Sequence, residues 1–222
     1  MSYRLFIFDL DGTLVDTAPG IIASVRHVEN RLGLAPLPDE TLRRFIGPPL
    51  EDSFMRYYGA DRETARHMVE VYRERYSVTG FGEGEVYPGI LETLDAIREA
   101  GCLAAVATLK HHAMAQLALE RFGLLGRFAA VAAGTDAHPT KADLIRQVMV
   151  RLDWGNEATA LMIGDSRYDG MGALEEGVDF AAAAYGFGFE EPGSMDGLDP
   201  IFVAKTPGQL LEFVQSVLPA KK

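Results

Sequence analysis

Apolar and polar positions along the chain fall into two regimes. Tyr3 to Phe8 is a short aromatic and aliphatic run that stops at Asp9-Leu10-Asp11-Gly12-Thr13, the pattern of a buried strand ending in a glycine-containing loop. Residues 16 to 83 then carry helical spacing. Ile21, Ile22, Val25, Val28 and Leu32 share one face, with Thr17 and Pro19 as start signals and Gly33 as a stop. Helices are also predicted over Pro38–Ile46, Leu50–Tyr58 and Asp61–Ser77, and no strand between residues 16 and 80. Phe81-Gly82-Glu83-Gly84 has the composition of a hinge.

Beyond the hinge the pattern alternates. Helices are predicted over Gly89–Ala100, His111–Arg121, Pro139–Leu152, Asp169–Glu176 and Pro207–Val217. Strands are predicted over Cys102–Thr108, Phe128–Ala133, Ala160–Gly164, Phe180–Tyr185 and Ile201–Ala204. Alternation of this kind implies an α/β fold: a Rossmann-like parallel sheet with helices on both faces, here carrying an inserted all-helical domain. The expected division is a core of residues 1–15 and 84–222 and a helical cap of residues 16–83.

Composition narrows the class. The 48% hydrophobic and 24% charged fractions of the 222 residues are those of a globular chain and argue against disorder. A net charge of −11 makes nucleic acid or an anionic membrane a poor partner, since either is repelled at long range. Cys102 is the single cysteine and lies in an apolar run, so it reads as a small buried hydrophobe. There is no signal-peptide pattern and no apolar run of transmembrane length. A cytoplasmic monomer or homodimer is the expectation.

The candidate chemistry sits at predicted strand ends. The first strand ends in Asp9 and Asp11, the Cys102 strand in Thr108, and the Ala160 strand in Gly164-Asp165-Ser166-Arg167-Tyr168-Asp169. Ligands of parallel α/β sheets bind at the carboxyl ends of strands. If these strands are neighbours, four carboxylates converge and repel one another unless a hard cation such as Mg²⁺ joins them. Taken singly, Asp9 and Asp11 would read as turn acids and Asp169 as a helix cap. Two carboxylates two residues apart suit a nucleophile and a general acid/base in phosphoryl transfer. Gly12 would bring backbone N–H groups up to phosphate oxygens, beside the Thr108 hydroxyl and the Leu109 N–H. A lysine is then wanted to balance the charge of the transferring group. Only five lysines exist, and two of them, Lys110 and Lys141, fall between Thr108 and Asp165. Lys110 lies two residues past the predicted strand end, where an outward direction is open to it. Lys141 opens a helix and is the better phosphate clamp; a solvated lysine there is the alternative, though helix N-termini disfavour cations.

These residues resemble the haloacid dehalogenase-type phosphohydrolase superfamily over essentially the whole chain. Asp9-Leu10-Asp11-Gly12-Thr13-Leu14-Val15-Asp16 matches its first motif, Thr108 the second, Lys141 the third, and Gly164-Asp165-Ser166-Arg167-Tyr168-Asp169 the fourth. The helical insert is similar to the cap of the phosphoglycolate phosphatase-like branch, as are the segments Phe45–Leu50, Val86–Gly89 and Ala184–Gly188. The resemblance implies a Mg²⁺-dependent hydrolase of a small phosphorylated metabolite, phosphoglycolate or nucleotide-like, acting through an aspartyl phosphate. By the same resemblance, Asp9 is the nucleophile and Asp11 the general acid/base. Mg²⁺ is held by Asp9, the Asp11 carbonyl and Asp165, with Asp169 in support. Two departures stand out: relatives usually follow the second-motif threonine with a small polar residue and then Lys-Pro, where this chain reads Thr108-Leu109-Lys110-His111, and the loop Gly134–Pro139 is shorter than the resemblance leads one to expect.

Competing activities separate by chemistry. A dehalogenase of this superfamily lacks the second aspartate of the first motif, whereas Asp11 is present. A phosphonate hydrolase needs a cap lysine for a Schiff base, and residues 16 to 83 contain none. A β-phosphoglucomutase-like enzyme shares the core residues and remains open, and a non-catalytic binding module would be expected to lack Asp9 or Asp11. Arg43 and Arg44 could meet a second anionic group of the substrate or form a solvated helix face.

Overall fold

The computed structural model describes residues 2–135, 137–155, 159–189 and 193–220; Asp136, Lys221 and Lys222 lie outside them. Six parallel strands form one sheet: β1 (Leu5–Phe8), β4 (Leu103–His111), β5 (Ala130–Gly134), β6 (Ala160–Gly164), β7 (Asp179–Ala183) and β8 (Phe202–Ala204). Their order is β5-β4-β1-β6-β7-β8, so the first strand is central. Phe8 pairs with Val106 on one side and Ile163 on the other. Two further strands, β2 (Val15–Asp16) and β3 (Glu85–Val86), pair antiparallel. These dipeptides are too short to show a period in sequence, and they clamp the two connections to the helical insert.

Period-two alternation sorts the β1 side chains onto two cores. Phe6 and Phe8 pack with Ile90, Leu94 and Ile97 of α5 (Ile90–Glu99) and with residues of α6 (His112–Arg121) and α9 (Pro207–Val217). Leu5 and Ile7 pack with Leu144, Ile145 and Val148 of α7 (Lys141–Arg151) and with Ala173 of α8 (Arg167–Glu176). A strand buried on both faces explains the unbroken apolar run Leu5–Phe8.

The insert folds as α1 (Ala18–Leu32), α2 (Asp39–Arg43), α3 (Leu50–Tyr58) and α4 (Arg62–Tyr76) around its own core of Val25, Val28, Phe45, Phe54, Met68 and Tyr72. The α2 helix stops short of the expected Ile46. Arg44, Phe45 and Ile46 donate to carbonyls three residues back, and Gly47 at φ +100° turns the chain before Pro48-Pro49. Buried Glu29 ties this unit together. Its Oε1 accepts from the Leu37 N–H and the Tyr58 hydroxyl, each at 2.7 Å, and its Oε2 from Arg26 at 2.8 Å.

Two boundary differences matter for the site. The β4 strand runs past Thr108 to His111 through a register shift against β5, where the sequence predicts a strand end. The α8 helix starts at Arg167, so Asp169 lies within its first turn.

Candidate active site

Asp9 follows β1 in the odd-numbered series of Leu5 and Ile7, the series that faces α7. There it meets Lys141, the first residue of α7. Lys141 Nζ lies 2.9 Å from Asp9 Oδ1, 2.9 Å from the Ala107 carbonyl and 2.7 Å from Asp169 Oδ1. Lys141 is 4% exposed, which rules out a solvated helix-start lysine. Two carboxylates outweigh the unfavourable helix dipole at that end.

Asp169 serves two purposes with its two oxygens. Oδ2 accepts from the Ser166 N–H at 3.0 Å and hydroxyl at 2.6 Å, closing a capping box at the start of α8, while Oδ1 faces Lys141. Gly164 leaves space for it: a Cβ there would sit 2.2 Å from Asp169 Cγ. Asp165, at the end of β6, accepts the Phe187 N–H on Oδ2 at 2.7 Å.

Asp9, Asp165 and Asp169 each offer an oxygen, all within 4.8 Å of one another. Burial pushes the Asp9 carboxyl up to about 6, with Lys141 opposing and Asp169 reinforcing the rise. Burial, then Asp169 and Asp9, holds Asp165 well above the carboxylate range. Burial alone would lower the Lys141 pKa, but Asp169 and Asp9 together raise it. Three buried carboxylates facing one ammonium form an oxygen-only donor set with surplus negative charge. That chemistry fits a hard divalent cation such as Mg²⁺.

Asp11 departs from the expected convergence of four carboxylates. Its oxygens lie 2.9 and 3.0 Å from Lys110 Nζ instead. Lys110 thus points into the site, not outward, because the register shift after Thr108 re-aims the chain. Its ammonium also sits 4.7 Å from the ring centroid of Tyr76 on α4, bridging the core and the helical unit.

The remaining expected residues fall nearby. Gly12 adopts φ +81°, and a Cβ there would lie 2.2 Å from Asp165 Oδ2, so only glycine fits. Its N–H donates to the Val15 carbonyl at 2.9 Å, closing the loop rather than facing a phosphate position as expected. Thr108 is buried, and its Oγ1 accepts the Lys110 N–H at 3.3 Å. Leu109 borders a cavity of about 460 Å³ that opens over Asp11. Phe45, Val69, Tyr72 and Tyr76 line the cavity from the helical unit. Arg43 and Arg44 are exposed and outside this lining; Arg62 and Arg73 of α4 take part in it. Of the residues to which the sequence assigns no role, Lys110 is one of its two candidate lysines and Phe187 falls in the segment Ala184–Gly188, while Tyr76 carries no sequence signal of its own.

A carboxylate cluster at the carboxyl edge of a parallel sheet, facing a buried lysine beneath a helical unit, defines an α/β enzyme built to handle a charged group. The chain belongs to the haloacid dehalogenase-like hydrolases, whose sequence pattern matches residues 6–183. It is 39% identical to a 5'-nucleotidase of Pseudomonas aeruginosa over 86% of this chain and 87% of that one. It is 34% identical to a phosphoglycolate phosphatase of Agrobacterium fabrum over 82% and 81% of the two chains. The solved structure of a predicted phosphatase from Clostridium acetobutylicum superposes with a TM-score of 0.88 at 33% identity, over 97% of this chain and 100% of that one. No helix among the described residues is long and apolar enough to cross a membrane.

Proposed function

We propose that the chain is a Mg²⁺-dependent phosphate monoester hydrolase acting on a small phosphorylated metabolite. The observation that carries this reading is the buried Asp9–Lys141–Asp169–Asp165 cluster beside Asp11 at the centre of the sheet edge. Residues 16–83 act as a cap over a core of residues 1–15 and 84–222, supported by the separate apolar core of α1 to α4.

An Asp9 carboxylate oxygen attacks phosphorus. The new O–P bond forms as the ester P–O bond breaks, leaving an aspartyl phosphate. Asp11 passes a proton to the departing alkoxide, then takes one from the water that hydrolyses the acyl phosphate, returning Asp9 and free phosphate. Lys141 holds Asp9 in place and balances charge on the phosphoryl oxygens, with Thr108 and the Leu109 N–H beside them. Asp9, the Asp11 carbonyl and Asp165 would hold Mg²⁺, with Asp169 in support. When bound, the ion neutralises the carboxylates and the substrate's phosphate.

Asp9→Asn is expected to abolish Mg²⁺-dependent phosphate release from p-nitrophenyl phosphate while the fold survives by circular dichroism. Turnover retained in that variant would remove Asp9 as the nucleophile.

A further inference from the structure

We propose that the cavity over Asp11 selects phosphate esters of a neutral, ring-bearing alcohol of nucleoside size, with Tyr72 and Tyr76 of α4 determining specificity. The inference rests on the phosphatase reading and names the substrate class of that same site.

Size is the first argument. A cavity of about 460 Å³ lies in the range that encloses ligands of many atoms, and a two-carbon alcohol would leave most of it to water. Charge is the second. Among the described residues of its lining, Asp11, Glu51 and Asp52 balance Lys110, Arg62 and Arg73 in formal charge, three of each sign, with His111 and His138 the other basic side chains. Lys110 is committed to Asp11, and Arg62 lies 4.0 Å from Glu51. No surplus of positive charge remains to draw a second anionic group, which glycolate or pyrophosphate would bring.

Surface chemistry is the third argument. Tyr72 and Tyr76 stack with ring centroids 5.1 Å apart and planes inclined by 17°, and with Phe45 and Val69 they make an apolar, aromatic wall. Such a wall suits the flat face of a ring. Within it the Tyr76 hydroxyl is buried and has no hydrogen-bond partner among the described residues. Burial holds its pKa well above the ordinary tyrosine value, so it stays protonated and can donate. An unpaired buried donor is costly, and a ring oxygen or hydroxyl of the bound alcohol would satisfy it. The Lys110 ammonium, itself paired with Asp11, lies 4.7 Å from the Tyr76 ring centroid and so links that ring to the acid/base residue.

The test is steady-state phosphate release by the intact enzyme with Mg²⁺. The substrates are nucleoside 5'-monophosphates, phosphoglycolate, pyrophosphate and p-nitrophenyl phosphate. The expected result is a kcat/KM for at least one nucleoside monophosphate about tenfold or more above phosphoglycolate and pyrophosphate. Tyr76→Phe removes one oxygen and keeps the wall. It should raise KM for that nucleotide about five- to tenfold, with a distinctly smaller change for phosphoglycolate. A preference for phosphoglycolate or pyrophosphate, or an equal effect of Tyr76→Phe on all substrates, overturns the proposal while leaving the phosphatase reading standing. No release from any ester, p-nitrophenyl phosphate included, overturns both.

Discussion

Replacing Lys141 by methionine keeps the stem of the side chain and deletes its ammonium. That ammonium lies 2.9 Å from Asp9 Oδ1 and 2.7 Å from Asp169 Oδ1 and is almost wholly buried. At an effective dielectric of about 20, each contact is worth about 6 kcal/mol in gross Coulomb energy. Desolvation of three charged groups offsets most of this, and breaking a buried pair by removing one partner typically costs about 3–5 kcal/mol. Asp9, Asp165 and Asp169 would then face one another without a counter-charge, and the Ala107 carbonyl would lose its donor. Proton uptake sets a ceiling. At pH 7, protonating one carboxylate of ordinary acidity costs about 4 kcal/mol. The expected loss for Lys141→Met is therefore about 3–4 kcal/mol, read from urea unfolding in EDTA with unchanged m-value. Mg²⁺ should restore more stability to the variant than to the parent, because the cation supplies the missing charge. A loss below about 1 kcal/mol in EDTA would refute the account of Lys141 as the counter-ion of this cluster.

Gly12→Ala places a methyl 2.2 Å from Asp165 Oδ2 at φ +81°, so Asp165 must move by about 1 Å. Phosphatase kcat should fall about a hundredfold, a displacement effect that unchanged kinetics would contradict. Glu29→Gln tests the clamp inside the helical unit. Burial raises the Glu29 pKa, but the Leu37 N–H, Arg26 and Tyr58 outweigh it and hold the group below its usual 4.5. A depressed folded pKa stabilises above the unfolded value and loses that contribution as pH falls. The parent should exceed Glu29→Gln by about 1–3 kcal/mol at pH 7, with the gap closing below about pH 4.5. A gap independent of pH would show that the charge of Glu29 does not matter.

Much of this molecule is legible in its sequence because the signals are local. The strand–helix alternation, the apolar run Leu5–Phe8 and the placement of Lys141 at a helix start each follow from periodicity or from a few adjacent residues. The first and fourth motif segments follow the carboxyl ends of β1 and β6, Lys141 starts α7, and Thr108 lies within β4, three residues before its last, so all four gather at one edge of the parallel sheet. The directions of side chains past the strand ends are another matter. Lys110 turns inward because β4 slips its register against β5, a property of two strands paired across the sheet. Its ammonium pairs with Asp11, 99 residues away in sequence, whose carboxylate stands apart from the cluster. The Phe187 N–H reaches Asp165, and Tyr76 meets Lys110, only after the helical unit and the loop following β7 have closed over the sheet edge. Arg43 and Arg44 face solvent while Arg62 and Arg73 reach the cavity, since the short α2 and the packing of α4 choose which arginines turn toward it. Local periodicity determines which elements form. Which charged groups share a site is decided by long-range packing, where a one-residue shift in register redirects a side chain completely.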